Sequence, residues 1–122
     1  MLGLSKRCAI AVIACLVFAL PSGGPGATND EQPIPEFTEA ILNDPDMLAL
    51  GKTIWQEQCR HCHGKDSYPG KAPKLKPQTY TPQFVYHRVT YGFRGMPAWK
   101  DVYDERERMA VVAWVLSPQF SP

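Results

Sequence analysis

The sequence predicts an all-α domain, and three observations carry that prediction. Apolar residues recur at helical spacing in two well-separated stretches, residues 44–59 and 104–118. No stretch shows the period-two alternation of a half-buried strand, and there is no internal repeat. Each helical stretch also carries start or stop signals at its ends. A chain of 122 residues allows one domain.

The first residues stand apart from that domain. Lys6 and Arg7 form a positive region, Cys8 to Leu20 is an apolar run, and Pro21 to Ala27 is rich in small residues. That order predicts a secretory signal peptide over residues 1–27, cut between Ser22 and Ala27. An uncleaved membrane anchor is the weaker alternative, because the run falls short of the ~20 apolar residues a spanning helix needs. Val12-Ile13-Ala14-Cys15 resembles a lipoprotein box only loosely, since lipidation at Cys15 would leave apolar residues at the new start. Export removes Cys8 and Cys15 and leaves Cys59 and Cys62.

The elements then follow in order. Residues 28–43 are polar, contain Pro33 and Pro35, and read as a flexible arm, with a short helical turn over Phe37 to Leu42. Asp44 is a good N-cap with Pro45 at the first helical position. Met47, Leu48, Leu50, Ile54 and Trp55 give that helix an apolar side, and it runs into Cys59. From Gly64 to Pro82 the chain carries Pro69, Gly70, Pro73, Pro77 and Pro82, which predict a loop wrapped on something other than secondary structure. Thr81 and Pro82 open a short helix to Tyr91, with Phe84, Val85, Arg88 and Val89 on its partly apolar face. Gly92 to Pro97 is a glycine-bounded turn presenting Met96. Asp104 and Glu107 fit a capping box for the last helix. Met109, Val111, Val112, Trp114, Val115 and Leu116 supply its stripe, and Pro118 stops it before a tail over 119–122.

Between the helices lies Cys59-Arg60-His61-Cys62-His63, which reads C-x-x-C-H, the c-type haem attachment pattern. Two thiols three residues apart reach the two vinyl groups of one haem, and the following His63 lies where its imidazole can bind the iron. Taken alone, the pair of cysteines also suits a zinc half-site or a redox dithiol; no second cysteine pair remains in the exported chain to complete a zinc site. Haem attachment uses both thiols and accords with export. A mature chain of this size has a modest core, and a covalently held apolar macrocycle would supply much of it. His61 is expected to face solvent. His87 is the other candidate axial ligand, read here as a surface or propionate-side histidine.

Formal charge is +1, but its distribution is uneven. From Asp30 to Glu57 there are seven acidic residues and one basic; from Arg60 to Lys100 there are eight basic and one acidic. That pattern suits a dipolar molecule whose basic side steers toward an acidic partner, with Lys71, Lys74 and Lys76 as the densest cluster. The cluster is too sparse to suggest a nucleic-acid partner.

These residues together resemble class I cytochrome c, over about residues 45–118. Gly51 and Trp55, eight and four residues before Cys59, match the glycine and aromatic of that family's first helix. Val112-Ala113-Trp114-Val115 matches its last helix, and Gly95-Met96-Pro97 its distal methionine loop. Ala72-Pro73-Lys74-Leu75 is similar to its proline loop, though Ala72 and Lys76 stand where glycines are usual. The resemblance implies a small cytochrome c fold, with N- and C-terminal helices crossing around one covalently bound haem c. It implies thioethers at Cys59 and Cys62, iron ligation by His63 and Met96, and a hydrogen bond from His63 Nδ1–H to the Pro73 carbonyl. Tyr80, Arg88, Arg94 and Trp99 are candidates for propionate contacts, with core packing or solvent exposure an equal reading for each. His/Met ligation raises the potential and suits a periplasmic electron carrier rather than an enzyme. Its partners would be redox proteins docking near the haem edge, such as a quinoprotein-type dehydrogenase and a terminal oxidase. A haem enzyme or gas sensor with a labile Met96 is the alternative.

Overall fold

The Thr38 hydroxyl accepts from the Ile41 amide and starts α1 (Glu39–Leu42), a single turn. The structure is a computed structural model that describes residues 31–120. The predicted signal segment 1–27 and the start of the arm lie outside these residues. Asp44 then caps α2 (Pro45–Ile54): its Oδ1 accepts from the amides of Asp46 and Met47, both at 2.9 Å. Pro45 holds the first position, where its missing N–H is no loss.

The predicted uninterrupted helix into Cys59 is broken in register. Trp55–Cys59 forms a π-helical turn, closed by the Arg60 amide on the Trp55 carbonyl, before α3 (Arg60–His63). A π-turn places one extra residue in the helix. The loop that follows has one 3₁₀ turn, Pro77–Thr79. Thr81 caps α4 (Pro82–Tyr91) by accepting from the Phe84 amide at 3.2 Å. Both halves of the predicted capping box are present at α5 (Glu105–Leu116). Glu107 N donates to Asp104 Oδ1 and Asp104 N to Glu107 Oε2, each at 2.8 Å. Among the described residues the extended pairing is limited to a single bridge between Phe93 and Met96, so the fold is all-α as predicted.

Gly51 lets α2 cross α5 at close range, beside Ala110 and Trp114. The main core lies beneath that crossing and joins Ile54 and Trp55 to Val85, Tyr86 and Val89 of α4 and to α5. On α4 the buried residues are Val85, Tyr86, Val89 and Thr90; Phe84, expected on the apolar face, is exposed.

The ends of the domain are more firmly held than the sequence suggests. The arm is fastened by Gln32, whose amide donates to the Tyr91 hydroxyl and whose side-chain carbonyl accepts from Arg108 Nη2 at 3.0 Å. Phe37 packs edge-on against Tyr86, ring centroids 5.8 Å apart. The predicted tail also enters the core: Phe120 is fully buried, edge-on to Trp55 at 4.5 Å. Among the described residues no helix is long and apolar enough to cross a membrane.

Candidate functional site

The three residues of the pentapeptide that matter chemically emerge from the π-turn and α3. Cys59 is partly buried and packs against the main core; Cys62 is exposed; both are free thiols. Burial pushes the Cys59 thiol up to about 12, so it is held protonated. His61 is exposed, as expected, but it is engaged: its Nε2–H reaches the Glu57 carbonyl at 3.0 Å. That carbonyl lies in the π-turn, where the usual helical bonding is displaced.

His63 is the chemical centre of the segment. Burial lowers its pKa below the usual 6.5, keeping the imidazole neutral and able to bind a metal. Its ring rests on the Trp55 indole, centroids 5.6 Å apart and planes inclined by 36°. The indole is itself fixed, since Trp55 Nε1–H donates to the Lys65 carbonyl at 2.8 Å. His63 Nδ1 is buried and has no hydrogen-bond partner.

The expected bond from Nδ1 to Pro73 is therefore not made in this structure. The loop meets the end of α3 one residue earlier, with the Ala72 amide donating to the Cys62 carbonyl at 2.8 Å. Pro73 itself is exposed. Ala72, a departure from the usual glycine, is thus the residue whose backbone docks the loop.

Met96 is partly buried against the main core. Its loop is a tight reversal in which Phe93 and Met96 exchange backbone hydrogen bonds of 3.1 and 2.9 Å, with Arg94 at φ 53°. The chain beyond returns to α4, where the Trp99 and Lys100 amides donate to the Val89 and Thr90 carbonyls at 3.1 and 3.2 Å. Gly92, at φ 72° and ψ −178°, turns the chain out of α4 into this loop. That region is essentially reserved for glycine.

Other predicted candidates sort themselves. Leu75, Tyr80, Met96, Trp99 and Tyr103, like Cys59, are partly buried and pack against the main core. Arg88 and Arg94 lie over the Phe93 ring instead, at 3.9 and 5.0 Å. His87 lies against Tyr91, centroids 5.0 Å apart. No group of three His, Cys, Asp or Glu among the described residues could hold a metal ion, so the two thiols find no partners there for a zinc cage. The residues do fit a haem. They supply two free thiols at attachment spacing, a neutral imidazole with an orphaned Nδ1, a methionine on a braced loop, and partly buried apolar side chains on the same core as Cys59. The contributions of Ala72 and of the His61–Glu57 contact could not be read from the motif, which constrains side chains and not loop backbone.

Comparison with known proteins points the same way. Residues 46–115 match the family described as cytochrome C oxidase, cbb3-type, subunit III. The cytochrome c subunit of 4-cresol dehydrogenase [hydroxylating] from Pseudomonas putida is 32% identical over 72 residues. That match covers 59% of this chain and 62% of the relative, less than two thirds of its length. Among solved structures, cytochrome CL from the marine methylotroph Methylophaga aminisulfidivorans superposes with a TM-score of 0.55 at 21% identity. The superposition covers 70% of this chain and 69% of that one, and at this identity it speaks for the fold alone.

Proposed function

Because this chain belongs to the cbb3-type subunit III family of cytochrome c domains and is a class I c-type cytochrome, we propose that it is a periplasmic monohaem carrier of single electrons. Cys59 and Cys62 would hold haem c through two thioethers, with His63 Nε2 and the Met96 sulfur as iron ligands. When bound, the haem supplies a one-electron couple at iron. The protein's own residues hold and shield that group. Trp55 fixes the plane of the His63 imidazole, burial keeps it neutral, and the braced Gly92–Pro97 turn presents Met96. The Pro73 carbonyl, next to the Ala72 anchor, is the proposed acceptor for the Nδ1 proton once the imidazole faces iron. With His63 and Met96 both holding the iron, no position would be left open to a substrate.

The observation that carries this reading is His63: a half-buried, neutral imidazole with an unpartnered nitrogen, immediately after two free thiols. A dehydrogenase, including the quinoprotein type, is the proposed donor, and a terminal oxidase the proposed acceptor. The named relative from Pseudomonas putida is itself a dehydrogenase's cytochrome subunit. Membrane anchoring is not part of the proposal.

The test is the absorption spectrum of the haem-loaded protein expressed in a periplasm, oxidised and reduced. A low-spin spectrum with the weak methionine-to-iron charge-transfer band, lost in Met96→Ala, is expected. A high-spin spectrum would sink the closed-iron assignment and favour a haem enzyme or gas sensor with a labile Met96.

A further inference from the structure

Trp114 carries an N–H group that the fold leaves unused. Its side chain is 5% exposed, and its Nε1–H is buried without a hydrogen-bond partner. A buried donor left unpaired is destabilising, and a phenylalanine at a core position avoids that loss. Trp114 and Trp55 line a cleft of about 240 Å³, together with Lys52, Gln56, Lys65, Asp66 and Gln119. The two tryptophans are buried and the five polar residues exposed, so the cleft has an indole base and a polar rim. Core contacts hold its sides. The Lys52 ammonium lies over the Trp114 ring, 5.4 Å from the centroid. The Lys65 carbonyl accepts from Trp55 Nε1–H at 2.8 Å, which ties the segment bearing Lys65 and Asp66 to the second indole. Phe120, fully buried and edge-on to both tryptophans, fixes the turn that carries Gln119.

We propose that this cleft binds a small organic monocarboxylate, held by Lys52 and Lys65 and accepting the Trp114 Nε1 proton. Its charge selects an anion: two ammonium groups stand against one carboxylate, and the carboxamides of Gln56 and Gln119 add further donors. Asp66 sets the limit, because a carboxylate on the same rim disfavours a dianion such as a diacid or phosphate. The indole base suits an anion with an apolar body. The volume lies below the ~300 Å³ at which drug-sized pockets begin, so the occupant is a small acid and not a nucleotide. The cleft shares Trp55 with the proposed haem site but is not lined by Cys59, Cys62, His63 or Met96. Binding there is independent of the electron-carrier reading.

The probe is benzoate, titrated into the haem-loaded protein at constant ionic strength and followed by saturation-transfer NMR on the benzoate protons. That readout observes the ligand, so it does not depend on how the iron is ligated. Saturable binding with a Kd of about 1 mM is expected. Lys52→Gln and Lys65→Gln should each weaken it about fivefold. Trp114→Phe, with unchanged far-ultraviolet circular dichroism, should weaken it about threefold through loss of the indole N–H. Asp66→Asn should act the other way and tighten binding about twofold, a direction that general loss of structure does not produce. A signal that never saturates overturns the proposal, as does wild-type affinity in the Lys52→Gln, Lys65→Gln double variant or in folded Trp114→Phe. Unchanged or weaker binding in Asp66→Asn overturns it too. Inorganic phosphate that displaces benzoate at equal or lower concentration overturns the monocarboxylate assignment. Should Trp114→Phe fail to fold, the lysine variants and Asp66→Asn, all at exposed positions, decide the matter.

Discussion

Gly51 of α2 is seated on the backbone of Ala110 in α5: a Cβ at position 51 would lie 2.6 Å from the Ala110 carbonyl carbon and 2.8 Å from Trp114 Cβ. Neither neighbour is a flexible chain end, so the helices must move apart to admit even one methyl group. Gly51→Ala should destabilise the domain by about 1–3 kcal/mol, despite alanine's better helix propensity. Urea denaturation of the haem-loaded protein checks this. An unchanged midpoint would mean that the crossing is looser than its geometry shows.

Gly92 separates local from global effects. A Cβ there would lie 2.8 Å from the Pro97 carbonyl carbon and 2.9 Å from the Ala98 amide, in a backbone conformation at φ 72°. Gly92→Ala should therefore strain the Met96 loop by about 1–3 kcal/mol while leaving the helices in place. The expected readout is a weakened methionine-to-iron band with unchanged far-ultraviolet circular dichroism. Retention of the full band would show that the loop does not depend on this glycine.

Tyr86 predicts the alkaline behaviour. Its hydroxyl is buried without a hydrogen-bond partner, and burial raises its pKa above the usual 10.0, against the pull of the Arg108 charge. Burial likewise raises Tyr103. A folded state that keeps these protons while the unfolded chain loses them is fully favoured below the unfolded value. Stability should therefore hold up to about pH 10 and fall as pH rises toward the folded values. Tyr86→Phe should shallow that fall and change stability little at neutral pH, since the removed hydroxyl has no partner. Denaturation midpoints between pH 8 and 11, on the order of one measurement per half unit, test both statements.

Arg108 is 3% exposed and joins three parts of the chain. Its nitrogens donate to the Asp104 carbonyl at 3.2 Å, to Thr90 Oγ1 at 3.1 Å and to Gln32 Oε1 at 3.0 Å. Arg108→Met should cost about 2–3 kcal/mol and Gln32→Ala about 1 kcal/mol. The double variant should resemble Arg108→Met alone, because both changes break the same contact. Strict additivity in a double-mutant cycle would disprove that coupling. Hydrogen exchange should also show faster exchange at the Gln32 amide in Arg108→Met, as the arm loosens.

The features readable in the sequence were those decided within a few residues. Asp44, Thr81 and Asp104 cap their helices through their own side chains, so each start was visible from the residue and its neighbours. The spacing of Cys59, Cys62 and His63 was equally local. What escaped depends on distant surfaces. Phe120 lies beyond the helix-stopping Pro118, and its burial is set by the gap it fills against Trp55 and Trp114. Phe84 and Tyr86 are both apolar enough for a core, and packing chose Tyr86. Nothing in Trp55-Gln56-Glu57-Gln58-Cys59 forbids an α-helix, so the π-turn was not foreseeable from propensity. The docking of the loop through Ala72 in place of Pro73 is likewise a property of two meeting backbones.

The π-turn has a mechanical consequence. One residue added to a helix rotates everything beyond it by about 100° about the helix axis. Met47, Gly51 and Ile54 keep the phase that faces the domain interior, while the cysteines and His63 are dialled to another bearing. Without that offset, a single straight helix would have to aim its crossing face and its ligand face together. With it, the two faces of one continuous helical run point in different directions.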